Sequence, residues 1–207
     1  MLSLHAWLNR AVTWFVIIDP VGTLPLFLAL TRSSTPEERR GVARKSIAIA
    51  SMVLLGYVAL GQILLNALGV TIAAFRLAGG MILFLIGLKM VFETQSASDS
   101  LRAEPGHDIS VFPLAIPSIA GPGAVMAAIV MTDGQHFSLL EQAGNVTLML
   151  LVLTFTYILF LFGNTIQRWI GETGGNVISR VMGMILCALA VQSVIESLQI
   201  MLAHAPH

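Results

Sequence analysis

Long apolar runs separated by short polar segments dominate the hydrophobic pattern of this chain. Each run is long enough to cross a bilayer whose hydrocarbon core is about 30 Å thick, at a rise of ~1.5 Å per residue. The runs cover residues 6–30, 43–67, 71–92, 110–131, 139–167 and 176–203. The pattern therefore predicts an all-α polytopic membrane protein with six transmembrane helices.

Composition supports this class. Of the 207 residues, 56% are hydrophobic and 11% are charged, whereas soluble domains carry about 25% charged residues. The net charge is zero and there is no basic patch interleaved with aromatic residues, which argues against a nucleic-acid partner. Membrane lipid is the expected surrounding. The first residues lack the basic start and the cleavage site of a signal peptide, so we expect them to belong to the first spanning helix.

One polar stretch divides the chain into two halves of three spans each. Residues 93–109 contain serines, acidic residues, a proline and a glycine, which is typical of a linker. We therefore expect a single membrane domain, 1–207, built from repeat 1 (1–92), this linker and repeat 2 (110–207). Within repeat 1, Thr35 as N-cap and Pro36 at the first helical position predict the start of the second helix.

The distribution of Lys and Arg predicts the orientation. Nine of these residues lie in or beside the loops between spans 1 and 2, 3 and 4, and 5 and 6, whereas Arg10 and Arg76 lie on the opposite side. Loops rich in Lys and Arg face the cytoplasm. We expect these three loops to be cytoplasmic and both termini to be periplasmic, in a bacterial inner membrane.

The two halves share landmarks at a nearly constant spacing. The string Gly-Met-Ile-Leu occurs at 80–83 and again at 183–186, which are 103 positions apart. The segments 19–22 (Asp-Pro-Val-Gly) and 120–123 (Ala-Gly-Pro-Gly) are 101 positions apart, so Ala120 is the expected counterpart of Asp19. Chance similarity between apolar helices is the alternative. Because each half has an odd number of spans, duplication predicts an inverted repeat, a common architecture of secondary transporters.

Two of the spans contain residues that interrupt a regular helix. In span 1, Asp19 is a carboxylate at membrane depth, and the prolines that follow it remove backbone donors. In span 4, residues 113–123 contain three prolines and two glycines. A half-helix that resumes after such a break presents free N–H groups, and the half that stops presents free carbonyls.

These two breaks predict a class of ligand. Free N–H groups suit a carboxylate, whereas Asp19 and free carbonyls suit an ammonium group or a coupling cation, with the proton as a candidate. A small neutral amino acid carries both charges. The candidate substrate- and ion-binding residues are Asp19, Pro20, Gly22, Thr23, Pro25, Pro117, Ser118, Gly121, Pro122 and Gly123.

Other interpretations of the same residues remain open. The prolines could kink the helices for packing, and Asp19 could be hydrogen-bonded within the bundle. An intramembrane enzyme would have Asp19, Thr23 and Ser118 as candidate groups without a histidine at membrane depth, so we expect no enzymatic activity. The histidines fall in loops and tails without paired spacing, and we expect neither a metal nor a cofactor. The oligomeric state is left open.

The same segments resemble the MarC family of bacterial inner-membrane proteins. The matching stretches are 19–25, 76–83 and 112–123, and the resemblance extends over essentially the whole chain. The family was named for a multiple-antibiotic-resistance locus and looks like a branch of the amino-acid exporter superfamily. One member is described as a small neutral amino-acid transporter. The resemblance therefore implies a secondary transporter, with drug or metabolite efflux and a non-transporting stress-response role as the alternatives.

Overall fold

Helices provide the regular structure in the described part of the chain. The computed structural model describes residues 4–92 and 108–203, so most of the predicted linker, 93–109, lies outside the described residues. The helices are α1 (Leu4–Ile18), α2 (Pro20–Leu30), α3 (Pro36–Ala67), α4 (Ile72–Phe92), α5 (Pro122–Val130), α6 (Leu139–Leu161) and α7 (Gly163–Ala203). An irregular helical segment, Ser110–Ile119, precedes α5. The all-α class is thus as predicted.

Five helical stretches of the described residues are long and apolar enough to cross a membrane. They are Leu4–Leu30 (α1 with α2), α3, α4, α6 and Gly174–Ala203. The segment Ser110–Ile119 and α5 pass the same test together but are bent by 56°, and they make a sixth span when they are counted as one. The architecture is therefore that of a multi-pass membrane protein.

Local sequence sets the start of two long helices. At α3, the Thr35 hydroxyl accepts a hydrogen bond from the Glu38 N–H (3.3 Å), and the Glu38 carboxylate accepts one from the Thr35 N–H (2.8 Å). Pro36 occupies the first helical position, as predicted. Ser138 and Glu141 make the same capping box at the start of α6. These side chains satisfy N–H groups that a helix leaves without partners.

The prediction of one helix over 139–167 was wrong. Helix α6 ends at Leu161, and α7 begins at Gly163. A Cβ atom at Gly163 would lie 2.9 Å from Leu24 and 3.0 Å from Leu28, so glycine there allows α2 to pack closely. Gly171 then interrupts α7 with a φ of 66°, a conformation that glycine adopts without steric cost. Helix α6 therefore ends about six residues before the end of the apolar run, residue 167.

Helices α4 and α7 pack against each other through small residues. A Cβ atom at Gly87 would lie 2.8 Å from the Gly183 carbonyl oxygen, and one at Gly183 would lie 2.8 Å from the Gly87 carbonyl oxygen. About two turns before Gly87, a Cβ atom at Gly80 would lie 3.1 Å from the Ala190 carbonyl oxygen. Between them, the Cys187 thiol lies 3.7 Å from the Phe84 carbonyl oxygen. Small residues allow helix backbones to approach closely within a membrane.

Adding a methyl group to this contact should destabilise the protein. We expect Gly87→Ala to reduce the free energy of unfolding by about 1–3 kcal/mol, because the new Cβ would meet backbone atoms of α7. Gly56→Ala on α3 is the matched control, since a Cβ there meets nothing within 4 Å. Thermal unfolding of both purified variants in the same detergent measures the difference. Equal midpoints for the two variants would contradict the close contact.

Candidate functional site

The first break lies at Asp19, between α1 and α2. Asp19 has φ 49° and ψ 65°, a left-handed conformation that Asp tolerates better than most residues. Its Oδ1 accepts a hydrogen bond from the Gly22 N–H at 2.9 Å, and its carbonyl accepts one from the Thr23 hydroxyl. Pro20 occupies the first helical position of α2, where its missing N–H costs no hydrogen bond. Asp19 therefore caps the half-helix that follows it.

This cap places a carboxylate at the positive end of a helix. The aligned peptide dipoles of α2 and the Gly22 N–H stabilise the ionised form of Asp19, which would otherwise be costly at membrane depth. Gly22 leaves room for the cap, because a Cβ atom there would overlap the Asp19 carboxylate. The fold thus brings the predicted residues Asp19, Gly22 and Thr23 into direct contact.

The remaining residues of the first break surround this cap. Pro20 and Thr23 are buried, whereas Asp19, Gly22 and Pro25 are half-buried. Pro25 lies inside α2, where it removes one hydrogen bond to the carbonyl four residues earlier. Among the hydrogen bonds of the described residues, the Gly22 N–H bonds to Oδ1, so Oδ2 is the oxygen of this carboxylate that can take a further partner.

The second break extends over the segment Ser110–Ile119. Within it, Phe112 (φ −128°, ψ 128°) and Ile116 (φ −132°, ψ 124°) are extended, and each directly precedes a proline. The residue before a proline is disfavoured in the α region. The Ala120 N–H donates to the Ala115 carbonyl at 2.8 Å, a wider turn than that of an α-helix. The structure therefore agrees with the prediction, made from the prolines and glycines of this segment, that no regular helix forms here.

Helix α5 resumes after this break without a side-chain cap. Gly121 is its N-cap residue (φ −78°, ψ 175°), and Pro122 occupies the first helical position. Gly121 therefore holds the N-cap position at α5 that Asp19 holds at α2, whereas the 101-residue spacing of the sequence pointed to Ala120. The prolines beside them match as well, because Pro20 and Pro122 each occupy the first helical position of the helix that follows the break.

The residues predicted at the second break differ in exposure. Pro117 and Pro122 are exposed, Ser118 and Gly121 are half-buried, and Gly123 is buried. A Cβ atom at Gly121 would lie 2.5 Å from the Pro117 carbonyl oxygen, and one at Gly123 would overlap the Leu83 side chain on α4. The glycines thus allow the chain to fold closely around the start of α5. The rings of Pro117 and Pro122 face away from the packed core.

The two breaks belong to one packed region. Helix α1 packs against α5, and α2 packs against the segment Ser110–Ile119. Residues on both sides of each break share one buried cluster, which includes Ile18, Leu24, Ile119, Ala120 and Ala124. The half-helices of the first break are therefore packed crosswise against those of the second.

Polar contacts fix both ends of the bent segment against α3. At one end, Lys45 of α3 forms an ion pair with Asp108, and the Ser110 N–H donates to the same carboxylate at 2.9 Å. The hydrogen bonds from Lys45 and Ser110 hold the pKa of Asp108 below its usual value. At the other end, the Gln62 amide donates to the Thr132 carbonyl at 2.9 Å. Lys45 and Gln62 are 17 residues apart on one helix, or about 25 Å.

Two further ion pairs lie at the end of the bundle where α1 begins, termed here the N-terminal end. Arg10 pairs with Glu141 at 3.1 Å, and Arg76 pairs with Glu196 at 3.1 Å. In the sequence, Arg10 and Arg76 contributed only to the predicted membrane orientation, and no partner was predicted for either. Their partners lie 131 and 120 positions away, so no local signal could have identified them.

Comparisons with known proteins agree with the membrane architecture. The family model described as "MarC family integral membrane protein" matches residues 4–202. A UPF0056 membrane protein of Methanocaldococcus jannaschii is 34% identical over 190 residues, which are 89% of this chain and 92% of that protein. The UPF0056 inner membrane protein YhgN of Escherichia coli is 31% identical over 193 residues, or 93% of this chain and 95% of its own.

A third relative extends the same pattern to another bacterium. The UPF0056 membrane protein YvbG of Bacillus subtilis is 32% identical over 186 residues, which are 87% of this chain and 88% of that protein. No solved structure matches this chain. Since the family model covers nearly the whole chain, and the relatives are matched over most of their length, this chain belongs to the MarC family of integral membrane proteins.

Proposed function

We propose that this protein is a secondary transporter of small neutral amino acids or similar small solutes across a bacterial inner membrane. The observation that carries the proposal is the crosswise packing of two broken helices around one core, with Asp19 at the first break. Paired breaks of this kind form the substrate sites of many secondary transporters. An ionisable residue at membrane depth also favours a functional role.

The two half-helix starts differ in a way that suits a zwitterion. Asp19 already neutralises the start of α2 and can offer its Oδ2 to an ammonium group, a proton or another cation. Helix α5 has no side-chain cap, so its first N–H groups, at Gly123 and Ala124, suit the carboxylate of a solute. One small amino acid can satisfy both ends.

Restricted space at the breaks favours a small solute over a bulky drug. Added Cβ atoms at Gly22, Gly121 and Gly123 would each meet atoms of the fold at or below 2.5 Å. The chain is therefore closely packed at both breaks, which supports a small solute in this proposal. Drug or metabolite efflux remains the alternative within the same class.

The contacts of the bent segment support six spans. Its ends lie beside Lys45 and Gln62, which are separated by about 25 Å along α3. A re-entrant loop would return to the side from which it entered. The segment Ser110–Ile119 and α5 therefore act together as one broken span in this proposal.

The contact between α4 and α7 supports an inverted repeat. Under the 103-residue spacing, Gly80 corresponds to Gly183 and Gly87 corresponds to position 190. The observed contacts are Gly80 with Ala190 and Gly87 with Gly183, so corresponding residues exchange places across the interface. Exchange of this kind is the signature of a two-fold relation. We infer that alternating access involves rocking one repeat against the other, with both termini in the periplasm.

Flux of small amino acids tests the proposal directly. Purified protein in proteoliposomes is expected to transport labelled glycine, alanine or serine faster than protein-free liposomes do, and an imposed pH gradient tests the proton as the coupling ion. A bulky labelled drug is the comparison for the efflux alternative. Absence of flux for all three amino acids, in protein shown to be folded, would rule out the leading function.

Removing the charge of Asp19 should stop transport without unfolding the protein. We expect Asp19→Asn to reduce flux at least tenfold, while the unfolding midpoint stays within about 2 °C, because Asn caps helices as well as Asp and tolerates the left-handed conformation.

Asp133→Asn is the matched control for this variant. Asp133 is also a buried carboxylate that accepts a backbone hydrogen bond, from the Gln135 N–H at 3.0 Å, but it lies outside both breaks. We expect it to retain the flux of the unchanged protein. Normal flux in Asp19→Asn would favour a role for the protein other than transport through this site.

A further inference from the structure

Two side-chain amides bind the carbonyls at the start of the segment between α5 and α6, residues 131–138, termed here the α5–α6 turn. Asn145 of α6 donates to the Met131 carbonyl, and Gln62 of α3 donates to the Thr132 carbonyl at 2.9 Å. Carbonyls at the end of a helix lack partners within that helix, and within a membrane they need other donors. The Asn145 contact lies within repeat 2, whereas the Gln62 contact joins repeat 1 to repeat 2. The Gln62 contact therefore depends on how the two repeats lie against each other.

Arg10 of α1 holds the other end of the same turn. Its Nη2 donates to Glu141 Oε1 at 3.1 Å, and its guanidinium carbon lies 4.9 Å from the centroid of the Phe137 ring. The side chains of this ion pair are 13% and 24% exposed, and charges that are shielded from water interact more strongly than exposed ones. Beside the pair, Trp7 packs so closely on α6 that a Cβ atom at Gly144 would overlap its ring. Repeat 1 thus contacts the α5–α6 turn and the start of α6 from both α1 and α3.

The other ion pair at the N-terminal end belongs to a different contact. Arg76 of α4 pairs with Glu196 of α7 at 3.1 Å. The same two helices approach closely farther along, where a Cβ atom at Gly87 would lie 2.8 Å from the Gly183 carbonyl oxygen. Arg76 and Gly87 are 11 residues apart, or about three helical turns. Contact over this length suits a pivot between the repeats, whereas the contacts of the α5–α6 turn are single side-chain contacts.

Helix α5 connects the α5–α6 turn to the proposed solute site. Its N-cap residue, Gly121, lies at the second break, and the helix ends at Val130, directly before Met131. Its nine residues span about 14 Å. A tilt of α5 that moves the proposed site therefore also moves the carbonyls to which Gln62 and Asn145 donate.

Buried side chains lie between the first break and the N-terminal end. Helix α1 packs against α5 and α6, and Trp14, which lies between Arg10 and Asp19 on α1, is fully buried. Helix α3 packs on α5 so closely that a Cβ atom at Gly61 would overlap the Ile129 side chain. A solute at Asp19 would therefore reach this end only after α1 and α3 had separated from α5 and α6.

We propose that the contacts of Arg10 and Gln62 with the α5–α6 turn and the start of α6 form a gate, which closes the proposed solute site toward the N-terminal end. Opening breaks the Gln62–Thr132 hydrogen bond and the Arg10–Glu141 ion pair, while α4 and α7 stay together as the pivot. The inference rests on the proposed transport function, in which a solute passes between the site and this end of the bundle.

Distances between spin labels test the gate without a transport assay. In a Cys187→Ser background, Leu68→Cys at the end of α3 and Leu139→Cys at the start of α6 carry the labels on the two repeats. Both native side chains are exposed, at 66% and 83%, so labels there should leave the packing intact. In lipid nanodiscs, we expect a main shorter distance from the closed gate and a minor longer distance from the open gate.

Weakening the gate should increase the longer distance. Gln62→Leu removes the amide donor, and Arg10→Gln removes the charge beside Glu141. We expect each to raise the ratio of longer to shorter distance by about threefold or more, the effect of one interhelical hydrogen bond within a membrane. Arg10→Lys retains the charge and should resemble the unchanged protein. Arg76→Gln is the matched control, because it breaks an ion pair of equal length at the pivot and should leave the distances unchanged.

The outcomes separate the gate from the transport function. Unchanged distances in folded Gln62→Leu and Arg10→Gln would overturn the gate, even where liposome flux is normal. An equal increase in Arg76→Gln would also overturn it, in favour of a general loosening of the bundle. An increase confined to the gate variants, in protein that transports none of the three amino acids, would support the gate and contradict the transport function.

The unchanged protein decides where neither gate variant folds. A longer distance whose share changes when alanine is added would support the gate. A single distance with and without alanine, in protein that transports alanine, would overturn it.

Discussion

A backbone that stops being helical inside a membrane must find partners for its polar groups, and the Asp19–Gly22 hydrogen bond meets that requirement at the first break. The carboxylate caps α2, and the dipole of α2 in turn stabilises the carboxylate. Each group would be costly without the other. The break and the acid at membrane depth are therefore one feature, and the proposed site depends on both.

The second break meets the same requirement differently. Its prolines remove donors, and the extended residues Phe112 and Ile116 redirect the chain. The start of α5 has glycine at the N-cap in place of an acid, and the Pro117 carbonyl leaves no room for a side chain there. Because of this difference, the first break of the proposed site prefers a cation and the second break prefers an anion.

Much of the fold and of the breaks could be predicted, because the signals are local. Thr35 and Pro36 predict the start of α3, and Asp19 with Pro20 predicts the first break. The end of α6 could not be predicted, since close packing of Gly163 against α2 decides it. The spacing of the two breaks pointed to Ala120, but the N-cap of α5 is Gly121, because sequence spacing cannot show which residue becomes the N-cap.

Long-range polar partners were also beyond prediction. Arg10 and Glu141 form an ion pair although they are 131 positions apart. In the sequence, Asn145 is one polar residue in an apolar run, and nothing there indicates that its amide donates to the Met131 carbonyl. Isolated polar residues in such runs most often bond neighbouring helices. Only the packing of α1, α5 and α6 shows which of their polar groups meet.

If both breaks bind one solute, a thiol placed at Ser118 should be shielded by that solute. In a Cys187→Ser background, which removes the natural cysteine, Ser118→Cys should react with a water-soluble thiol reagent, and alanine should slow that reaction. Asp19→Asn in the same background should abolish this protection, although residue 19 lies on the other broken helix. Labelling that alanine does not slow, or protection that persists without the Asp19 charge, would contradict a shared site.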